Sequence, residues 1–254
     1  PPMAPTQFQA KILDKGEDRY KRYQAQHQTY FGAPASGRIL DFGCGAGGFV
    51  LGALQAGLDA WGIEVDEERE RQFLNITERN FPQWKDRFTL YEGRLLHYPS
   101  NHFDAVYSWF VFEHVTDPQT SLREIVRVMK PGATLYIQAE DVRNVWEGHA
   151  LAPWPPYMPR EFAGAYLEGL GKGDQTDFIT NYVVYVSAPV LTEILTTLGM
   201  EIVYSNAVPD RPQIPEGLYV TTDAEARALG EKMRDSGVTG PTENLGVIAR
   251  KPGA

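Results

Sequence analysis

An acidic residue followed by alternating glycines is the pattern in this sequence that points most directly to chemistry. An apolar run ends near Asp41, and Gly43, Gly45 and Gly47 follow at alternate positions before the chain becomes apolar again. Glycine has no Cβ, so it permits a sharp turn and a close approach of the backbone to a ligand. The helix that follows directs its free N–H groups toward whatever lies in the turn. The pattern predicts a loop that binds a nucleotide-type cofactor at the mouth of a parallel sheet.

The glycine spacing fits two cofactor templates. Gly43, Gly45 and Gly48 satisfy the GxGxxG fingerprint of dinucleotide sites, which is a weak signal on its own. Asp41 and the alternating glycines also fit the pattern hhDxGxGxG, in which an acid suits a cationic ammonium and sulfonium better than a phosphate. On these residues the chain resembles the class I S-adenosylmethionine-dependent methyltransferases. The resemblance implies that the loop, with Cys44 inside it, binds the amino-acid half of S-adenosylmethionine.

A second acid stands at the end of the next apolar segment. Residues 59–64 predict a strand that ends in Glu64, sixteen residues after Gly48, close to the spacing at which a carboxylate meets a ribose diol in such folds. Two carboxylate oxygens matched to two vicinal hydroxyls form a charge-assisted pair. We therefore expect Glu64, with Val65 beside it, to hold the ribose. Asp66 is the rival, but it opens the next helix, where an acid compensates the helix N-terminus.

The resemblance extends from about residue 36 to residue 140. The segment 103–132 is similar to the family's stretch FDxVxS…EH…DP…L.E..RV.KPG, and its strand, helix and strand form a βαβ unit. The match implies that Ser108 and Trp109, at the end of the fourth strand, lie beside the cofactor. Methyltransferases that act on base amines carry [DNS]PP[YFW] at this point, and this chain has no proline there. Methylation of nucleic-acid bases is therefore not expected.

The sequence departs from the family pattern at Arg94. The family commonly has an aspartate here that accepts a hydrogen bond from the adenine amino group, and a guanidinium cannot accept one. We expect the backbone of Arg94 and Leu95 to border the adenine, with the Arg94 side chain stacking on it or facing solvent.

Three titratable residues are candidates for the proton transfer that methylation of a hydroxyl needs. The sulfonium of the cofactor makes its methyl group electrophilic, so the protein must align the acceptor and exclude water. A hydroxyl acceptor also needs a base. Glu113 and His114 follow the fourth strand, whose exit loop faces the methyl group in this family, and His149 lies in the segment 141–187. The alternative is that Glu113 and His114 only brace the segment that follows them.

The segment 141–187 is rich in aromatic residues and proline and is too apolar for an ordinary surface loop. Long connections in compact domains often serve as functional lids. This one follows the fifth strand, at the edge of the sheet where ligands bind in such folds. We predict that it forms a cap over the acceptor, with Trp146, His149, Trp154 and Tyr157 as the acceptor-binding residues.

Residues 7–31 predict a long helix at the start of the chain. Tyr20, Tyr23, His27 and Tyr30 recur there at helical spacing. In one interpretation, this stripe is the buried face of an amphipathic helix. In the other, the helix covers the cofactor and a tyrosine reaches the cofactor's carboxylate.

The order of the elements predicts an α/β fold: a doubly wound, mostly parallel, seven-stranded sheet of Rossmann-like type with an antiparallel last strand. The part after the cap predicts a helix that stops at Gly199, a strand over 200–207, a surface helix over 223–236 and a strand over 244–250. We expect three parts: an N-terminal helical cover over 1–35, a cofactor-binding core over 36–140 and 188–254, and the inserted cap over 141–187.

Composition limits the partners that the protein can have. The 254 residues carry a net charge of −9 without a cluster of Lys and Arg, which argues against a nucleic-acid partner. Cys44 is the single cysteine, so no internal disulfide forms, and no metal site is expected. No apolar run reaches the length of a membrane span, and no signal-peptide pattern opens the sequence. We expect a cytoplasmic protein, and the sequence does not indicate its oligomeric state.

Together these features predict an enzyme that transfers a methyl group from S-adenosylmethionine to a small-molecule acceptor and leaves S-adenosylhomocysteine. Oxygen is favoured over nitrogen as the methylated atom, and a sugar, a natural product and a lipid-type head group suit the aromatic cap about equally. Two other classes stay open. One is a catalytically silent regulator that binds S-adenosylmethionine. The other is an NAD-linked oxidoreductase, which would leave the 103–132 segment without an explanation.

Overall fold

The computed structural model describes residues 6–141, 146–154, 158–184, 186–206, 220–237 and 244–253. Within these ranges, no helix is both long enough and apolar enough to cross a membrane. Tyr157, one of the expected acceptor-binding residues, lies outside the described residues.

Within the described residues, nine strands form a large sheet and a separate short hairpin. Their bounds are β1 Arg38–Phe42, β2 Asp59–Glu64, β3 Phe88–Leu90, β4 Phe103–Trp109, β5 Met129–Ala139, β6 Trp146–Glu147, β7 Ala152–Pro153, β8 Glu201–Ser205 and β9 Leu245–Arg250. The seven-stranded sheet has the order β3-β2-β1-β4-β5-β9-β8, and β6 pairs with β7 alone. Strands β1 to β5 are mutually parallel, whereas β9 runs antiparallel to both β5 and β8. The predicted fold is confirmed.

The described ranges contain eight α-helices: α1 Gln7–Phe31, α2 Gly48–Gln55, α3 Glu67–Asn80, α4 Pro118–Val128, α5 Ala163–Gly169, α6 Thr176–Tyr182, α7 Ala188–Thr197 and α8 Asp223–Arg234. Local capping explains several of their starts. Thr6 and Gln9 form a capping box at α1, and the Asp117 carboxylate accepts from the Thr120 N–H at α4. Asp66 caps α3 by accepting from the Glu68 N–H at 2.8 Å, as the sequence predicted.

Helices cover both faces of the sheet, which is why its central strands are apolar on both sides. Successive residues of β1 belong to different hydrophobic clusters: Leu40 packs with α4 and α7, and Ile39 packs with α1. In α1, the Tyr23 side chain is 2% exposed, and its ring meets those of Tyr107 and Tyr136 at centroid distances of 5.1 and 5.9 Å. For Tyr23, the buried-face interpretation of the tyrosine stripe is therefore confirmed.

Helix α1 also crosses α2 so closely that only glycine fits at the contact. A Cβ placed on Gly16 would lie 2.1 Å from the backbone carbonyl of Gly48, the first residue of α2. One turn further along α2, a Cβ on Gly52 would lie 3.2 Å from the backbone of Glu17. Gly48 directly follows the glycine-rich loop. Helix α1 therefore fixes the position of that loop.

The cap has a hydrophobic cluster of its own, which joins residues between Ala150 and Val183 to helix α8. Gly230 of α8 lies against the backbone of Tyr166 in α5, and Gly169 of α5 lies against the backbone of Arg227. The sequence-based division assigned α8 to the core with residues 188–254. The structure instead packs its apolar face on the cap, because small residues at the crossing let the two helices approach closely.

The α1–α2 contact can be tested with Gly16→Ala. In an open helix interior this change would raise stability by about 1 kcal/mol, because alanine has the higher helix propensity. Here the added methyl group meets backbone, and overpacking of this kind costs about 1–3 kcal/mol. We expect a lower melting temperature and weaker cofactor binding, measured by thermal unfolding and calorimetry.

Gly173→Ala is the matched control. Its Cβ would meet the Glu168 side chain at 3.4 Å, an ordinary contact, so stability should change by less than about 0.5 kcal/mol. A higher melting temperature for Gly16→Ala would contradict the close contact.

Candidate functional site

The glycine-rich loop adopts backbone conformations that require its glycines. Gly43, Gly45 and Gly47 have φ values of 76°, 54° and 75°, in the left-handed region that side chains disfavour. The N–H groups of Gly43 and Cys44 donate to the Ile63 carbonyl at 2.9 and 3.0 Å, which connects the loop to β2. A Cβ on Gly45 would meet no atom within 4 Å. The loop therefore leaves open space beside Gly45, where a ligand can approach the backbone.

Cys44, the residue between these glycines, turns its side chain away from that space. The residue is 2% exposed, and a Cβ on Gly62 would lie 2.6 Å from its Sγ. Burial raises the pKa of the Cys44 thiol well above its usual range, so the thiol stays protonated. The backbone of Cys44, and not its sulfur, is what a cofactor can contact.

Asp41 ends β1 as a buried acid beneath α1. Its side chain is 2% exposed, and among the described residues its Oδ2 has no hydrogen-bond partner. Burial raises the pKa of Asp41 to about 7, the positive charge of Arg19 opposes this, and the negative charge of Glu64 adds to it. Such an acid can bind a cationic ammonium group, which S-adenosylmethionine carries at its amino end. The site therefore fits the amino end of S-adenosylmethionine.

Arg19 was missed by the sequence analysis. It lies on α1, three residues after Gly16 and four before Tyr23, so it shares the helix face that packs on the protein. A basic residue on the buried face of a helix is uncommon enough to have served as a signal. Its charge acts on both Asp41 and Tyr107.

Glu64 ends β2 with both carboxylate oxygens directed at the backbone of the site. Its Oε2 accepts from the Gly45 N–H at 2.8 Å, and its Oε1 accepts from the Val65 N–H at 2.7 Å. A carboxylate oxygen can accept a second hydrogen bond, so both oxygens remain able to receive ribose hydroxyls. The geometry fits the role expected for Glu64.

The other residues expected at the cofactor divide into two groups. Val65 and Leu95 are exposed apolar side chains, 56% and 62% accessible, and Arg94 is exposed as well. Ser108 is buried, and its Oγ has no partner among the described residues. Trp109 stacks on the Tyr107 ring at 6.2 Å and lies under the Arg22 guanidinium at 5.3 Å, so it faces α1.

The exit of β4 is held against the glycine-rich loop. Phe110 turns the chain with a φ of 54°, an uncommon conformation for a bulky residue and one that often accompanies functional sites. The Val111 side chain fills the space that a Cβ on Gly43 would need, at 2.3 Å. The residues that follow, Glu113 and His114, are thereby brought beside the cofactor loop.

The fold brings His114 and His149 together, as the sequence could not show. Their ring centroids are 5.0 Å apart. Two hydrogen bonds connect the β4 exit to the end of the cap: the Val184 N–H donates to the Glu113 carbonyl at 2.6 Å, and His114 Nδ1 pairs with the Tyr182 carbonyl at 2.7 Å. Glu113 and His114 thus brace a segment, but that segment is the cap and not the one that follows them in sequence.

The electrostatics of this cluster depend on burial and on neighbouring acids. The Glu113 side chain is 1% exposed, and burial raises its pKa to about 8, with the negative charge of Glu140 adding to the effect. Burial lowers the pKa of His114. The hydrogen bond between His149 Nδ1 and Glu147 Oε1, 2.8 Å long, raises the pKa of His149.

Two of the tryptophans expected to bind the acceptor differ in their surroundings. Trp154 is 2% exposed and packs edge-on against Tyr166 at a centroid distance of 5.4 Å. It lies inside the hydrophobic cluster of the cap, so contact with an acceptor would require the cap to open. Trp146 is half-buried in β6, where it pairs with Pro153.

Comparison with known proteins agrees with the fold and the loop. Residues 16–199 match the family model for a methyltransferase domain. A demethylmenaquinone methyltransferase from Lactiplantibacillus plantarum is 29% identical over 167 residues, which are 62% of this chain and 69% of that protein. A tRNA U34 carboxymethyltransferase from Idiomarina loihiensis is 29% identical over 142 residues, which are 47% of this chain and 44% of that protein, less than half of its length.

A solved structure of an S-adenosylmethionine-dependent methyltransferase from Mesorhizobium loti has the same fold. It aligns with a TM-score of 0.53 and 20% identity, covering 85% of this chain and 91% of that one. The chain belongs to the methyltransferase domain family, within the class I S-adenosylmethionine-dependent methyltransferases. The predicted enzyme class, fold and cofactor are confirmed.

Glu64→Gln should weaken cofactor binding. Glutamine has one acceptor oxygen and no charge, and a hydrogen bond to a charged group contributes about 1.5–3 kcal/mol. Affinity for S-adenosylhomocysteine, measured by calorimetry, should fall by roughly ten- to a hundredfold.

Asp66→Asn is the control for Glu64→Gln. It removes a charge two residues away, and asparagine caps a helix as well as aspartate does, so affinity should stay within about threefold. If Asp66→Asn loses more affinity for S-adenosylhomocysteine than Glu64→Gln does, Asp66 and not Glu64 binds the ribose.

Asp41 should make stability fall as the pH rises. Its folded-state pKa of about 7 lies above the ordinary value of 3.8, so between these values the folded chain keeps a proton that the unfolded chain releases. The free energy of unfolding then decreases with rising pH through this window, by up to on the order of 4 kcal/mol. Urea unfolding at about pH 5 and about pH 8 should show a steeper loss for the unmodified protein than for Asp41→Asn. Equal slopes for the two proteins would contradict the buried, unpaired carboxyl.

Proposed function

We propose that this chain transfers the methyl group of S-adenosylmethionine to a hydroxyl oxygen of a small molecule with an apolar body, bound between the β4 exit and the cap. The observation that carries this proposal is the meeting of Glu113, His114 and His149 beside the glycine-rich loop. None of the three is needed to fold the loop itself, which β2 and α1 already fix.

The cofactor supplies an electrophilic methyl group on a positively charged sulfur when it is bound. In this proposal, Asp41 and the backbone of the loop beside Gly45 hold the amino-acid end and Glu64 holds the ribose. Both acids are fixed before the cofactor arrives, Asp41 by burial and Glu64 by its two backbone hydrogen bonds. Alignment of this kind supplies much of the catalysis in methyl transfer, because the reacting groups no longer need to find each other.

In this proposal, the polar cluster of Glu113, His114 and His149 removes the proton from the acceptor hydroxyl. A hydroxyl oxygen forms the new bond to the methyl carbon, the electron pair of the broken carbon–sulfur bond stays on sulfur, and the hydroxyl proton leaves to the cluster. Both imidazoles have Nδ1 engaged, His114 with a carbonyl and His149 with a carboxylate, so each Nε2 is available to the acceptor. A neutral amine needs no such help, which is why the cluster favours oxygen over nitrogen.

The surroundings of the cluster favour an acceptor with an apolar body. The Phe178 ring lies 6.1 Å from that of His114 and 5.2 Å from that of His149, and it stacks on Tyr182 at 5.7 Å. Phe178, Tyr182 and Leu151 are 39%, 59% and 67% exposed. Such faces suit an aromatic natural product or a lipid-type molecule better than a free sugar. The net charge of −9 supports a small molecule over a nucleic acid.

A panel of acceptors with methyl-labelled cofactor tests this assignment. The panel holds aromatic and isoprenoid-substituted alcohols and phenols, the matching amines, free sugars and tRNA. Label should appear on oxygen of an apolar hydroxyl compound, located by mass spectrometry. Label on the amines alone, or on tRNA alone, would contradict the proposal.

His149→Ala should impair the reaction and spare the cofactor site. Loss of a group that assists proton removal lowers kcat by about 10²–10⁴-fold, while affinity for S-adenosylhomocysteine should change by less than about threefold. Trp154→Ala is the contrasting variant, because a buried tryptophan costs about 3–5 kcal/mol when it is truncated. We expect it to lower the melting temperature instead. Unchanged turnover in a folded His149→Ala protein would argue against the cluster's role.

A further inference from the structure

Three side chains of the kinds that bind metal ions converge where the β4 exit meets the cap. Glu113, His114 and His149 each offer one ligand atom, and these atoms all lie within 4.8 Å of one another. Two imidazoles and one carboxylate form a donor set that first-row transition metals bind, in a triad that leaves open positions for other ligands. The donors come from two distant segments of the chain, so no short spacing in the sequence predicts this metal site.

The orientation of both imidazoles is already fixed through their second nitrogen. His114 Nδ1 lies 2.7 Å from the Tyr182 carbonyl, and His149 Nδ1 lies 2.8 Å from Glu147 Oε1. Carbonyl and carboxylate oxygens accept hydrogen bonds, so each Nδ1 is the donor and each Nε2 carries a lone pair. Metal-binding histidines are held in this way in almost all known sites, by a carboxylate or a backbone carbonyl on the far nitrogen.

The surroundings of Glu113 support a metal site independently of the two histidines. Its carboxyl group is 1% exposed, and neither of its oxygens has a hydrogen-bond partner among the described residues. In a purely structural cluster, a buried acid beside two histidines would pair with one of them. Here the Glu147 carboxylate pairs with His149 and the Tyr182 carbonyl pairs with His114, so among the described residues no side chain pairs with Glu113. A bound cation would satisfy it.

We propose that Glu113, His114 Nε2 and His149 Nε2 bind a divalent first-row transition metal ion, whose remaining coordination positions face the acceptor. In its use of the acceptor the proposal rests on the proposed function, with the imidazoles acting as ligands instead of proton acceptors. The ion binds the hydroxyl oxygen that becomes methylated and lowers the pKa of that hydroxyl, so that its proton leaves to water before the methyl group is transferred. An acceptor with a second oxygen next to that hydroxyl, as in a vicinal diol or a hydroxycarbonyl, fits two open positions. Glu140, 3.7 Å from His149 Nδ1, lies close enough to add negative charge around the ion.

Titration of Co²⁺ into untagged, chelator-treated protein tests the site without cofactor or acceptor. We expect one ion per chain, with visible absorption typical of mixed nitrogen and oxygen ligands, and displacement by Zn²⁺. Glu113→Gln and His149→Ala should each weaken Co²⁺ binding by at least about tenfold. Glu147→Gln, which replaces the charged carboxylate on His149 Nδ1 with a neutral amide, should weaken Co²⁺ binding by about 10–100-fold.

His102→Ala is the matched control. His102 lies just before β4, at the opposite end of that strand, where it contacts Arg38, and its loss should leave Co²⁺ affinity unchanged. Circular dichroism and binding of S-adenosylhomocysteine verify that each variant is folded, and Glu113→Gln, a change of nearly equal volume, covers the case in which His149→Ala does not fold. Absence of Co²⁺ binding, or binding that survives Glu113→Gln and Glu147→Gln, would overturn the site.

The metal proposal and the methyl-transfer proposal fail in different ways. If the chelated, metal-free protein methylates a hydroxyl acceptor at the same rate as metal-loaded protein, the metal proposal is wrong and methyl transfer stands. If the metal binds as expected but no acceptor is methylated, the site stands as a binding site and the proposed function is wrong.

Discussion

The close contact between α1 and α2 is the constraint on which the rest of the site depends. Gly16 and Gly48 let the two helices approach at backbone distance, and Gly48 begins α2 directly after the glycine-rich loop. Because α1 fixes the start of α2, the loop cannot move without disturbing a packed helix pair. The same helix covers Asp41, and burial raises the pKa of this acid to about 7. The position of the glycine-rich loop and the pKa of Asp41 therefore both depend on the packing of α1.

The parallel arrangement of β1, β2 and β4 places two chemical systems at one edge of the sheet. In the proposed reaction, the acids of β1 and β2 bind the cofactor, and the Glu113–His114 pair after β4 contacts the acceptor. Val111 joins them physically, because its side chain occupies the space over Gly43. A change in the β4 exit would therefore be felt in both systems, which is a reason for the uncommon backbone of Phe110 to persist there.

The cap has a hydrophobic core of its own. Helices α5 and α8 pack through Gly169 and Gly230, and they belong to a hydrophobic cluster separate from the clusters of the sheet. Other residues of the cap lie outside this cluster: His149 meets His114, and the rings of Phe178 and Tyr182 are exposed. A flexible loop could not hold an imidazole at a fixed distance from His114. In the proposed reaction, the packing of α8, far along the chain, therefore helps to position the residues of the cap that meet the acceptor.

The sequence by itself determined the sheet, the glycine-rich loop and the place of Glu64, because each depends on residues that are neighbours in the chain: an apolar strand, its terminal acid and the turn that follows. Asp66 was separated from the ribose role by the same local signal, its position at a helix start. The meeting of His114 with His149, the charge of Arg19 near Asp41 and the packing of α8 on the cap were decided only by the tertiary structure. Each of these joins segments that are far apart in sequence, and side-chain spacing along one element carries no information about which surface another element will meet.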